Sequence, residues 1–106
     1  MGEIFGRAVI SVDNMSQFFK HTDFGKLVGS ISKQTAKMYQ GQSVYEAKKK
    51  IGEFIKKGDQ FYLDNKHKDH LEVFDKRGNF KHVLNLNGTR NFKKTEIARK
   101  EKRILR

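Results

Sequence analysis

The chain has 106 residues, 23 basic and 12 acidic side chains for a formal net charge of +11, and hydrophobic residues at 36%. That length suits one domain with one modest core, and the basicity makes RNA, DNA or an anionic surface the first partners to consider. No Cys is present, which excludes disulfides, thiolate metal sites, Fe–S clusters and a Cys nucleophile; no apolar run approaches the roughly 18 residues of a membrane-spanning helix.

Met1 to Val12 lacks the basic start and long apolar stretch of a Sec-type signal peptide. Within it, Ile4 to Val12 (IFGRAVISV) reads as a short strand or an irregular lead-in. Thr22 or Asp23 can cap a helix running to about Tyr39, with Leu27, Val28, Ile31, Thr35 and Met38 near helical spacing and Gly41 behind it. A second helix is expected over 43–58. Ser43 and Glu46 form a capping box, Val44, Ala47, Ile51, Phe54 and Ile55 an apolar stripe, and Gly58 a stop. Its opposite face would carry Lys48, Lys49, Lys50, Lys56 and Lys57.

From Asp59 the period changes to that of strands: Gln60–Asp64, His70–Phe74 and Asn79–Leu86. Asp75-Lys76-Arg77-Gly78 makes a tight turn between the last two, and Asn87-Gly88 is a second turn signal. The tail from Thr95 reads as a basic helix, or as a segment that orders only on a partner. The expectation is a single small α+β domain: a mainly helical part over 1–58, then a twisted antiparallel meander over 59–92, then a basic tail over 93–106.

Charge is uneven along that layout. Residues 1–58 carry ten basic and five acidic side chains, and 93–106 carry seven and two, net +5 each. The stretch 59–92 carries six and five. Carboxylates there work against phosphate binding, so they need another reason to exist, catalysis or a structural turn. The basic face expected to bind RNA comprises Lys48, Lys49, Lys56, Lys57, Lys81, Lys93, Lys94, Arg99 and Arg103.

Residues 64–90 hold three of the four histidines, four carboxylates and Arg90. On a strand, His70, Glu72 and Phe74 point to one face, with Leu71 and Val73 on the other. His70 and Glu72 then stand about 7 Å apart, close to the separation of an acid and a base flanking one phosphate. Asp64 and His67 lie just before, where a turn can swing them over the same face. A four-residue turn at 75–78 sets Lys81 opposite Glu72. RNA cleavage without metal asks for these types: a base for the ribose 2′-OH, an acid for the departing 5′-oxygen, and a cation for the charge building on phosphorus. Each residue also has an ordinary reading. Glu72 can be a solvated strand residue, and His67 and His70 turn or surface histidines. A zinc site from His67, Asp69 and His70 fits no familiar ligand spacing. No nucleophile elbow is present, and residues 25–30 (GKLVGS) are not a phosphate loop. Tyr39, Tyr45 and Tyr62 read as core or rim, with Tyr62 placed to take a base.

Tyr62-Leu63-Asp64-Asn65-Lys66-His67, then Leu71-Glu72-Val73-Phe74, then Asp75-Lys76-Arg77-Gly78 resemble the cytotoxic ribonuclease domain of ribosome-inactivating colicins and related contact-dependent toxins. The likeness covers about residues 60–94. It implies cleavage of ribosomal RNA, or of tRNA in the wider group of such toxins, with no metal or other cofactor. Glu72 would be the base, His67 the acid, Asp64 its partner and Arg90 the charge stabiliser. Strand geometry alone favours His70 over His67 as the acid. The resemblance further implies an acidic immunity or antitoxin partner and action in the cytoplasm after delivery as part of a secreted toxin. The alternative is a non-catalytic basic RNA- or DNA-binding protein.

Overall fold

The computed structural model describes residues 3–5 and 8–105, with side chains from Ser11 onward. Strands β1 (Glu3–Phe5) and β2 (Ala8–Ser11) pair antiparallel. The strand or lead-in expected over 4–12 is therefore split in two, and its residues 6 and 7 lie outside the described residues. Helices α1 (Met15–His21) and α2 (Asp23–Ser30) follow. Then comes a five-stranded antiparallel sheet in sequence order: β3 (Ser32–Tyr39), β4 (Gln42–Ala47), β5 (Gln60–Leu63), β6 (His70–Phe74) and β7 (Phe80–Asn85). Helix α3 (Phe92–Lys100) packs on β7. The class is α+β. No helix among the described residues is long and apolar enough to cross a membrane.

The second half follows the expected meander, with both turns in place. Gly78 donates to the Asp75 carbonyl at 3.0 Å and Gly88 to that of Asn85 at 2.9 Å. The first half differs. The helix expected through Tyr39 stops at Ser30, where the backbone N–H of Ile31 bonds back to the Val28 carbonyl, and 32–39 is a strand. Gly41 does not close a helix. Gln40 (φ 49°) and Gly41 (φ 83°) are both left-handed, the two-residue turn that suits a tight hairpin between β3 and β4.

The helix expected over 43–58 is β4 followed by turns. Ser43 and Glu46, spaced as a capping box, instead make cross-strand contacts. The Ser43 hydroxyl accepts from Gln34 Nε2 at 3.1 Å, and Glu46 pairs with Lys33 at 3.3 Å. The apolar stripe is divided between the two faces of the sheet, Val44 on one and Ala47, Ile51 and Ile55 on the other. Lys48, Lys49, Lys50, Lys56 and Lys57 are exposed on these turns rather than along a helix. Helix α1 was not anticipated. Its signal is Asn14, whose side chain accepts from the Gln17 N–H at 2.9 Å, with Gln17 reaching back to the Asp13 N–H at 3.2 Å.

The larger core lies between one sheet face and α1 and α2: Phe18, Val28, Phe61, Leu63, Leu71, Val73 and Leu84 with Ile51 and Ile55. The smaller core, on the other face, is Val44, Tyr62, Phe74 and Leu105, with Tyr39 and Phe80 against it. With both faces covered, every residue of β6 is buried. Leu105 reaches its place because residues 103–105 fold back along the 75–78 turn. Its N–H donates to the Gly78 carbonyl at 2.9 Å, and Asn79 and Ile104 form a bridge. The chain passes so close to Gly78 that a Cβ there would strike the Leu105 carbonyl. Of the two readings of the tail from Thr95, the helical one holds through Lys100 in α3, and Thr95, Ala98 and Leu105 are buried in the fold; the last residue, 106, lies outside the described residues.

The two sheet edges differ. On β7, the Val83 N–H donates to the Thr95 hydroxyl at 2.9 Å and the Val83 carbonyl accepts from the Asn91 N–H at 2.9 Å, so α3 and its cap close that edge. On β3 the register slips between Gln34 and Met38, and the Thr35 hydroxyl bonds to the Val44 carbonyl at 2.8 Å.

Candidate active site

Strands β5 and β6 pair with Tyr62 opposite Glu72 and Leu63 opposite Leu71. The Asp64 N–H donates to the His70 carbonyl at 3.1 Å, extending the ladder one step. Alternation then places Tyr62, Asp64, His70 and Glu72 on the face of the smaller core. Between Asp64 and His70 the chain doubles back. The Lys68 N–H bonds to the Asp64 carbonyl at 3.0 Å, and the His67 N–H to Asp64 Oδ2 at 2.7 Å, a side-chain-closed turn of the kind Asp favours. This brings His67 Nδ1 to 3.3 Å from Asp64 Oδ2, with its ring 6.1 Å from that of His70.

The two histidines differ in access. The His67 side chain is 51% exposed, whereas that of His70 is 6% exposed and its Nδ1 lies 2.7 Å from Asp69 Oδ1. Partial burial pushes the Asp69 carboxyl up. The hydrogen bond and charge of His70, with Lys94 and His67 beyond, outweigh this and hold it below the usual carboxylate range. Lys94 of α3 is therefore part of this neighbourhood.

Glu72 is 2% exposed. Its two oxygens have separate partners: Oε1 pairs with Arg103 Nη1, and Oε2 accepts from the Tyr62 hydroxyl at 3.4 Å. Arg103 also bonds through Nε to Glu101 Oε2 at 2.8 Å. Burial works against its charge, but Glu101 and Glu72 together raise its pKa above the ordinary value. Burial and the nearby Glu72 push the Tyr62 phenol up, so it stays protonated and donates. Tyr62 is sandwiched, stacked at 15° on Phe74 and tilted against Tyr39, so it is a wall of the site and not a surface for a base.

Two of the anticipated cations are elsewhere. Lys81 does not face Glu72. A bulge at Val73/Phe74 sets Val83 opposite Glu72, and Lys81 pairs with Asp59. Arg90 bridges to Leu84, its guanidinium 4.9 Å from the centre of the Phe92 ring. It lines an apolar recess of about 450 Å³ with Phe24, Ile51, Phe54 and Leu84, on the larger-core side of the sheet. The structure thus brings Asp64, His67, His70 and Glu72 to one face and leaves Arg90 behind the sheet. Arg103, expected only as a phosphate contact, is the cation at Glu72. No local pattern marks it, because the partners are 31 residues apart.

Of the other basic candidates, Lys48, Lys49, Lys56, Lys57, Lys93 and Arg99 are exposed. Arg99 lies 3.7 Å from Glu96. Lys56, Lys57, Lys76, Arg77 and Lys81 ring a cleft of about 350 Å³ around Asp59 and Asp75, at the far end of β6 from His70. At about 3.3 Å per residue, that end is about 17 Å from the histidine group. Compared with known proteins, the chain matches no family model, no curated sequence and no solved structure.

Proposed function

We propose that this chain is a small toxin-type endoribonuclease that cuts ribosomal RNA or tRNA through attack of a ribose 2′-OH on the adjacent phosphate. The observation that carries it is the gathering, on one sheet face, of a buried carboxylate, an arginine on that carboxylate and a carboxylate–histidine group beside it. Glu72 takes the 2′-OH proton, and His67 gives a proton to the leaving 5′-oxygen. The exposure of His67 supports it over the buried His70. Arg103 moves from Glu72 to the phosphate as substrate enters, which frees the base and supplies the charge stabilisation assigned by resemblance to Arg90. The basic cleft, about 17 Å along the strand, holds flanking phosphates. An acidic immunity or antitoxin protein is the partner that a +11 chain would attract by steering. The setting of the reaction is the cytoplasm of a cell that receives the toxin.

A second reading rests on the saturation of Glu72. A carboxylate fixed by Arg103 and Tyr62 is also what a structural pair looks like, and the protein would then bind RNA or DNA through its cations alone. The deciding assay incubates ribosomes and tRNA with the protein in EDTA, alongside Glu72→Gln, His67→Ala and His70→Ala. Cleavage leaving 2′,3′-cyclic phosphate ends, lost in Glu72→Gln and His67→Ala, supports the enzyme. RNA bound but left intact by the wild type supports the binding protein. Loss only in His70→Ala moves the acid to the buried histidine.

A further inference from the structure

Asp64 Oδ2, one nitrogen of His67 and one of His70 lie within 4.8 Å of one another. The distances from Asp64 Oδ2 are 3.3 Å to His67 Nδ1 and 3.8 Å to His70 Nε2. Four-coordinate zinc with bonds of about 2.0–2.2 Å sets neighbouring ligand atoms about 3.3–3.6 Å apart, so these separations are close to those the ion would impose. The gap to His70 Nε2 is too long for a hydrogen bond. Nδ1 of that ring is engaged by Asp69 Oδ1 at 2.7 Å, which leaves Nε2 as the nitrogen turned toward Asp64. The Asp69–His70 contact at 2.7 Å is the carboxylate–histidine support that metal-binding histidines commonly have. Asp64 is held in turn by the His67 N–H at 2.7 Å.

We infer that Asp64, His67 and His70 form a binding site for a divalent transition metal of the zinc class, with Asp69 orienting His70 and a fourth position open to water or a phosphate oxygen. The ligand set differs from the His67, Asp69, His70 trio considered from sequence, because the doubled-back turn substitutes Asp64 for Asp69. The site does not depend on the cleavage reading. If both hold, the ion occupies the ring of the catalytic acid and zinc inhibits.

The test is calorimetric titration of zinc chloride into the full chain, without RNA, in a buffer that does not coordinate metal. One equivalent should bind. His67→Ala, an exposed change that leaves the fold intact, should weaken binding at least tenfold, and Asp69→Asn should do so by roughly 10–100-fold. His21→Ala and His82→Ala should leave it unchanged. Cobalt(II) should give the intense visible absorption of a four-coordinate centre in the wild type and lose it in His67→Ala. Absence of stoichiometric binding, or affinity indifferent to both His67→Ala and Asp69→Asn, overturns the site. Because RNA is absent from the titration, either result leaves the cleavage assay free to succeed or fail on its own.

Discussion

Two arginines lie on opposite sides of the same sheet, and their surroundings differ. Arg90 is set against Phe92, Phe24 and Leu84 on the side filled by helices, and its Nε is buried with no hydrogen-bond partner. Arg103 lies on the thinner side, between two carboxylates, over a core of only a few large residues. Apolar burial therefore holds the first side together. The second is closed by an ion pair supplied by a segment beyond the last helix, and that is the side where charge chemistry is available.

The contrast is broken hardest at Arg103. Arg103→Ala leaves Glu72 buried and unpaired, which should cost about 3–5 kcal/mol in urea unfolding. Adding Glu72→Gln in the same chain should return a large part of it, whereas additive losses would mean that the pair is not coupled. Next comes Glu72→Gln alone. Cleavage in EDTA should fall roughly 100-fold while far-ultraviolet circular dichroism is unchanged. Full activity in this variant removes Glu72 as the base.

Smaller effects sharpen the picture. Arg77→Gln together with Lys57→Gln in the basic cleft should flatten the salt dependence of RNA affinity, by about one unit of slope for each phosphate no longer neutralised, read from binding at several salt concentrations. His82 lies on the Arg90 side, its Nε2 2.7 Å from the Phe54 carbonyl; burial lowers its pKa below 6.5, partly offset by that carbonyl. The unfolded chain therefore takes up a proton first. The stability His82 contributes is complete above about pH 6.5 and is lost as pH falls through and below it. His82→Gln should flatten thermal stability across that window. The least effect is expected from Arg90→Ala, with cleavage within a few-fold of wild type. A 100-fold loss there would put the site on the wrong side of the sheet.

What the sequence disclosed followed the range of its signals. Strand β6 and the turns at 75–78 and 87–88 were readable because alternation and turn chemistry are local. The failure over 43–58 has a definite cause. Val44, Ala47, Ile51 and Ile55 recur at three and four residues, as on a helix face. Yet Val44 and Ala47 belong to opposite cores, and Ile51 and Ile55 pair with each other across a turn. Spacing alone does not tell one apolar face from two. The faces of His70 and Glu72 could be deduced from period two. The company of Glu72 could not, since Arg103 arrives by tertiary folding, and the turn closed by Asp75 and Asn79 together with the bulge at Val73/Phe74 shifts Lys81 away.

The two sheet edges bear on how copies of this chain treat one another. An unpaired strand is a template for further strands, and α3 removes that risk on β7. Strand β3 stays outermost, yet its ladder is interrupted between Gln34 and Met38, and Lys33 and Lys37 stand exposed along it. Lysines and a bulge on an outermost strand are devices that discourage a further strand from pairing there. They work against edge-to-edge polymerisation at high concentration, where the largely exposed Met38 on the same strand would otherwise favour it.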